Sequence, residues 1–182
     1  MVWFRFAKVV PMISTRVQSG QWRVHPKLKG RFLAKHPDEL LVIAHEGGPR
    51  LTTRRPEVLQ VEVTGCDGDV FTAQVLHQPM QLHTLRLGQE IRFVVPAGAR
   101  YPVLVTERYV EERGHWTIQP CQKCGFSELF DAPSELIPVL FPNSPPGAPR
   151  ASFKSPCPIC GGVQTVLAKS RLHASGGRRR RR

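Results

Sequence analysis

The sequence predicts a mostly β chain: a small, twisted, partly closed antiparallel sheet followed by a C-terminal module organised by four cysteines. Three observations carry that expectation. Apolar and polar residues alternate through the middle of the chain, as in Leu59-Gln60-Val61-Glu62-Val63 and Phe71-Thr72-Ala73-Gln74-Val75, the period of strands buried on one face. The 15 glycines and 17 prolines among 182 residues interrupt the chain too often for long helices. Two C-x-x-C-G segments, starting at Cys121 and Cys157, put four thiols in two tight turns.

Taken in order, residues 1–37 read as a basic N-terminal segment, with Val2 to Val10 as an opening strand and no clear period over residues 14–31. A β domain is expected over residues 38–118. Its first strand is the apolar run Leu40 to His45, ended by Gly47-Gly48-Pro49. The strands around Leu59–Val63 and Phe71–Val75 flank Gly65-Cys66-Asp67-Gly68-Asp69, a hairpin turn in which Asp67-Gly68 suits positive φ and Cys66 is an incidental thiol. Gly88 starts another turn, Ile91, Phe93 and Val95 continue the strand period, and Val103–Thr106 and Trp116–Ile118 add two strands. A four-cysteine module follows over residues 119–168. Between its knuckles, Ser127 and Ser134 are expected to cap two short helical turns that each begin Ser-Glu-Leu, with Pro138 and Pro142 shortening the second. Residues 142–156 read as a loop, and residues 169–182 as a disordered, Arg-rich tail.

Two residues between thiols let one turn aim both sulfurs at a single ion. The glycine after each second cysteine permits left-handed backbone and close approach of N–H groups to the sulfurs. Cys121, Cys124, Cys157 and Cys160 are therefore the candidate ligands of one structural Zn2+, in the manner of a zinc ribbon. The 32 residues between Cys124 and Cys157 exceed the usual spacing of about 15–20 and imply an insertion. A dithiol redox pair or two disulfides are the alternatives. His115-Trp116 is expected to pack beside the first knuckle.

The net charge of +12 looks like a nucleic-acid signal until it is mapped. Residues 1–37 hold eight basic residues and no acid, and residues 169–182 hold seven and none. Residues 38–168 hold 11 basic against 14 acidic residues, a net charge of −3, so the excess lies at the ends. Arg178, Arg179, Arg180, Arg181 and Arg182 are candidate contacts to RNA or another polyanion, as are the basic N-terminal residues with Trp3, Phe4, Phe6, Trp22 and Phe32. Free thiols and the lack of an apolar run of about 20 residues fit a cytoplasmic protein with no membrane partner, and Met12 is an alternative start.

No nucleotide-binding, nucleophile-elbow or metalloprotease motif occurs. His77 and His83 are the best enzyme candidates, two imidazoles that could share a site across a loop, and Glu111-Glu112 has no evident partner. Val61 to Phe93, with Asp67-Gly68-Asp69-Val70-Phe71, Leu76, Pro79 and Leu87-Gly88, resembles the YegJ-like bacterial domain family of unknown function over residues of about 58–95. The resemblance implies a small β-rich domain and carries over no catalytic residue. On the cysteines alone the chain also resembles immunity proteins of bacterial competition systems, which would imply a protein partner. The expected role is a non-enzymatic, zinc-stabilised binding module, with the immunity-type inhibitor and the enzyme near His77 and His83 as alternatives.

Overall fold

The computed structural model describes residues 20–48, 50–145 and 147–169. The opening strand expected at Val2–Val10, Trp3, Phe4, Phe6 and the arginines 178–182 lie outside the described residues. Within them the chain is mostly β, a closed five-stranded sheet followed by a second, three-stranded sheet.

Strands β1 (Glu39–Ala44), β2 (Glu57–Asp67), β3 (Val70–Val75), β4 (Glu90–Val94) and β5 (Val103–Val105) form an antiparallel meander. The barrel closes where β5 returns parallel to β1, with Ile43 opposite Val103 and the Ile43 N–H donating to the Pro102 carbonyl at 2.8 Å. Closure is thus complete, through one parallel seam that an all-antiparallel reading did not include. Alternate residues point inward as the period requires: Leu40, Val42, Leu59, Val61, Val63, Phe71, Ala73, Ile91 and Phe93 fill the interior.

The β2–β3 hairpin turns at Gly68 and Asp69, and Gly68 alone takes a positive φ, +58°. A bulge between Val63 and Gly65 shifts the register, so Val63 pairs with Ala73 while Cys66 pairs with Phe71. That shift corrects the expected place of Cys66. It is a strand residue, half-buried against the barrel core, because the bulge reverses which residues face inward.

The segment before β1, read as aperiodic, makes two 3-10 turns, Gln21–Val24 and Pro26–Leu28, which insert Trp22 and Leu28 into the end of the barrel. Trp22 packs against Phe32 with ring centroids 5.7 Å apart. Both aromatics therefore belong to the core and its edge rather than to a stacking surface.

After β5 the chain enters helix α1 (Glu107–Arg113), which the strand-based reading missed. Thr106 ends the strand early because its hydroxyl caps α1, accepting the Tyr109 N–H at 3.1 Å. Strand β6 (Trp116–Ile118), helix α2 (Pro133–Leu140), β7 (Ser152–Pro156) and β8 (Val163–Ala168) complete the chain. The second sheet has the order β6-β8-β7.

Three expectations here need correction. Ser127 caps no helix: its neighbours have no regular secondary structure, and Gln164 Nε2 donates to the Phe126 and Glu128 carbonyls at 2.8 and 3.1 Å. Ser134 lies inside α2 rather than at its cap. Its hydroxyl and N–H are both taken by Glu112 of α1, while Pro133 starts the helix and the Ala132 N–H bonds Glu135 at 3.0 Å. The loop expected over residues 142–156 gives way at Ser152 to β7, which pairs along its length with β8.

All three residues of β5 are buried because both of its faces are covered. Leu104 points into the barrel, Val105 joins Tyr109, Leu129 and Phe153 of the second core, and Val103 joins the cysteines. The joint between barrel and C-terminal lobe is completed by His45, whose ring stacks on Phe130 with centroids 3.8 Å apart and planes within 3°. His45 Nε2–H donates to the Leu104 carbonyl at 2.7 Å and Nδ1 accepts the Gly47 N–H at 3.1 Å, so the neutral imidazole fits with both nitrogens used. Beside it, the Gly48 N–H donates to Asp131 at 2.8 Å.

Burial pushes the His45 imidazole down to about 4, against the hydrogen bond to Leu104, and pushes the Asp131 carboxyl up to about 6, against the Gly48 N–H and with help from Glu135. The stability His45 contributes is complete above its ordinary value of 6.5 and is lost as pH falls through about 4. The stability from Asp131 is present below 3.8 and is lost as pH rises through about 6, so the two oppose each other in between. Asp131→Asn is expected to steepen the rise of unfolding free energy from about pH 4 to about pH 6.5. Denaturant titrations across that range check it, and a profile parallel to wild type would refute the joint's role.

Candidate metal centre

The four sulfurs come from two turns set at the ends of paired strands. Cys121 and Cys124 follow β6, and Cys157 and Cys160 join β7 to β8. Because β8 lies between β6 and β7, the sheet itself brings the two knuckles to one end. In each knuckle the first cysteine carbonyl accepts the N–H of the following glycine, Gly125 to Cys121 at 2.8 Å and Gly161 to Cys157 at 2.9 Å. Gly125 and Gly161 take φ of +76° and +70°, the left-handed backbone expected of them.

All four Sγ atoms lie within 4.8 Å of one another, and Cys121–Cys160 and Cys124–Cys157 are each 3.6 Å apart. A tetrahedral ion with metal–sulfur bonds of about 2.3 Å requires sulfurs about 3.8 Å apart, so the set fits one metal ion. It does not fit two disulfides, whose sulfurs would lie about 2.0 Å apart.

Electrostatics favour thiolates on the knuckle side facing backbone N–H groups. Burial opposes ionisation of Cys121, but the N–H groups of Cys124 and Lys123, with the thiols of Cys160 and Cys124, bring it down to about 7. Burial dominates at Cys157 and pushes its thiol up to about 12, despite the N–H groups of Cys160 and Ile159, and raises Cys124 as well. Four thiols this close cannot all ionise without a cation among them. A divalent ion reverses that balance.

Cys121 and Cys157 are buried and pack with Val103, Phe126 and Phe130, with Ile43, Ala99 and Cys160 at the margin. Trp116, expected beside the first knuckle, packs elsewhere: its ring meets Phe153 at 5.6 Å in the second core. The strand alternation of β6 turns it to that side.

Gly162 is a site residue the motif reading missed. A Cβ there would stand 2.8 Å from Cys121 Sγ and 3.3 Å from Cys160 Sγ, and the Gly162 N–H reaches Cys160 Sγ at 3.4 Å. The sequence carries the signal as the doubled glycine Gly161-Gly162, where the first knuckle has Gly125-Phe126.

His77 and His83 are both exposed and turn to different partners. His77 Nε2 lies 3.4 Å from Gln60 Oε1, and His83 Nδ1 lies 3.1 Å from Arg54. Their loop is pinned by carboxylates, with Glu46 accepting the His83 and Thr84 N–H groups and forming an ion pair with Arg54 at 3.0 Å. Glu112 serves as the link to Ser134 and to Arg108, and Glu111 has no ion-pair partner among the described residues.

Fold and site define a small β-barrel protein with a ribbon-like, metal-binding-capable lobe. No family model matches the chain, and no curated protein or solved structure matches it. No helix among the described residues is long and apolar enough to cross a membrane.

Gly162→Ala is expected to weaken metal binding by about tenfold or more while leaving the barrel folded, because the methyl displaces Cys121 Sγ. Chelator competition against bound Co2+, read through its thiolate charge-transfer band, checks this. An unchanged affinity would show that the knuckle accommodates the methyl.

Proposed function

We propose that the chain is a non-enzymatic, zinc-stabilised binding module whose basic ends engage RNA or another polyanion. The observation that supports the zinc reading is the closed set of four sulfurs within 4.8 Å of one another. Four thiolates fill a tetrahedral shell, leaving no coordination position for a substrate, which is the structural rather than the catalytic arrangement. Backbone N–H groups aimed at the sulfurs disperse the charge of four thiolates around one dication. When bound, zinc would cross-link the end of the second sheet, and the chain's own residues would do the rest. Unpaired thiols fit a reducing compartment, in keeping with a cytoplasmic protein.

The polyanion reading rests on charge. Residues 1–37 and 169–182 hold 15 of the 26 Lys and Arg residues and none of the acids. Retention through Arg178 to Arg182 would be weakly sequence-specific and strongly salt-dependent.

Purified protein is expected to carry one zinc per chain by elemental analysis. Cys121→Ser/Cys124→Ser should lose it and lower the unfolding temperature by about 10 °C or more, whereas Cys66→Ser should do neither. Iron in place of zinc, or zinc retained in the double variant, would overturn the assignment. Deletion of residues 174–182 is expected to reduce RNA retention and its salt dependence. Affinity purification from the native cell at two salt concentrations, with and without nuclease, tests the partner: a salt-stable, nuclease-resistant 1:1 protein complex would favour the immunity-type reading instead.

A further inference from the structure

The described cations include some tied to carboxylates and others, spread over the surface, that are not. Six Lys and Arg side chains are in ion pairs with carboxylates: Arg23, Lys27, Arg54, Arg92, Arg108 and Arg113. Lys29, Arg31 and Arg100 have no carboxylate partner among the described residues, yet they line one cleft of about 540 Å³ together with Tyr101. No carboxylate lines that cleft.

Its walls are built rather than incidental. Arg31 Nη1 donates to the Arg100 carbonyl at 3.0 Å and to the Ala99 carbonyl at 3.3 Å, and its Nε donates to the Lys27 carbonyl at 3.1 Å. Those neutral acceptors fix the guanidinium between the segment before β1 and the loop before β5, but they leave its charge uncompensated. Lys29 and Arg100 are exposed, and the Arg100 guanidinium lies 5.1 Å over the Tyr101 ring. Three positive charges without a counter-charge in a concave site raise the local concentration of anions. The Arg100 guanidinium and the Tyr101 ring beneath it offer planar groups, and nucleic-acid bases stack on guanidinium planes as on aromatic rings. Ala99, on the same loop, packs against the cysteine cluster, so the metal lobe holds one wall of the cleft in place.

We propose that the cleft between residues 29–33 and 99–102 binds a nucleotide unit, its phosphate drawn by Lys29, Arg100 and the fixed charge of Arg31 and its base against the Arg100–Tyr101 pair. This deepens the binding-module reading and rests on it. The same chemistry is offered by a free nucleotide and by single-stranded RNA, and competition separates the two sources.

The test uses full-length, zinc-loaded protein and a short fluorescent single-stranded RNA, followed by anisotropy between about 50 and about 200 mM salt. Lys29→Glu/Arg100→Glu is expected to weaken binding by about tenfold or more and to lower the salt slope by about 2. Arg55→Glu/Arg86→Glu makes the same charge change at exposed sites elsewhere and should weaken binding much less. Tyr101→Ala should weaken RNA binding while inorganic tripolyphosphate binds as before. Displacement of the RNA by AMP assigns the cleft to free nucleotides; displacement by unlabelled strand alone assigns it to RNA. Equal losses in the two charge-reversed variants overturn the proposal, as does a Tyr101→Ala protein that binds RNA as wild type does. RNA binding that survives Lys29→Glu/Arg100→Glu but disappears on deletion of residues 174–182 overturns the cleft and leaves the binding-module reading standing. A full chain that binds no phosphate probe overturns both.

Discussion

The barrel is closed by a single short parallel pairing, and the four-cysteine lobe lies on the outside of that seam. β1 and β5 meet at Ile43 and Val103, and one main-chain hydrogen bond from Ile43 to Pro102 crosses beside them. So short a pairing contributes little on its own. What covers it is the cluster of Cys121, Cys157, Phe126 and Phe130, packed on Val103 and Ile43. Burying the outward faces of both strands makes closure favourable, since apolar area removed from water contributes roughly 25 cal/mol per Å². The four thiols gather within 4.8 Å of one another on that same cover, so the closure of the barrel and the geometry of the knuckles are one packing problem.

The far side of the same lobe is held by charge. Arg113, half-buried, reaches Asp69 of the β2–β3 turn at 2.9 Å and Glu128 of the first-knuckle exit segment at 3.1 Å. Burial alone would raise the Asp69 carboxyl, but Arg113 and Lys27 together hold it below the usual carboxylate range. Glu128 also accepts the Tyr109 hydroxyl, which in turn accepts the Leu129 N–H at 3.3 Å. Removing either partner of these half-buried pairs leaves a charge without its partner. Here the pairs tie α1 to the β2–β3 turn and to the segment after the first knuckle, while His45 stacks on Phe130 and Asp131 holds Gly48.

The strands were legible because each presents one face to the barrel interior, so Leu59-Val61-Val63 and Phe71-Ala73-Val75 carry an unambiguous period of two. The cysteine cluster was legible because C-x-x-C-G states both ligand type and backbone geometry. What escaped were features decided by residues distant in sequence. Ser134 looks like a cap until Glu112, 22 positions earlier, takes its hydroxyl. Cys66 looks like a turn residue until the bulge at Thr64 reverses the facing of β2. The apolar run at Val103–Val105 reads as a strand, but that both its faces are covered by different lobes, and that it pairs parallel with β1, follows only from closure. Helix α1 was within reach, since Thr106 before Glu107 is an ordinary capping signal; the preceding strand pattern obscured it.

The same lesson applies to charge. Residues 38–168 sum to −3, which taken alone argues against any anion-binding surface on the body of the protein. Summation assumes that charges act together, whereas at physiological salt they act over a distance of about 8 Å. Inside that range several of the acids are committed to structural cations: Asp38 to Arg23, Asp69 to Lys27 and Arg113, Glu46 to Arg54, Glu112 to Arg108. Among the cations left over, Arg31 is bound by carbonyl oxygens that carry no net charge and so sits beside Arg100 without neutralisation. An acidic stretch of chain and a local basic cleft are therefore compatible in one small fold, since Lys29 and Arg31 come from the basic segment before β1 and meet Arg100 of the acidic stretch. Which of them a passing anion meets depends on the pairing of side chains, a property of the folded chain rather than of its composition.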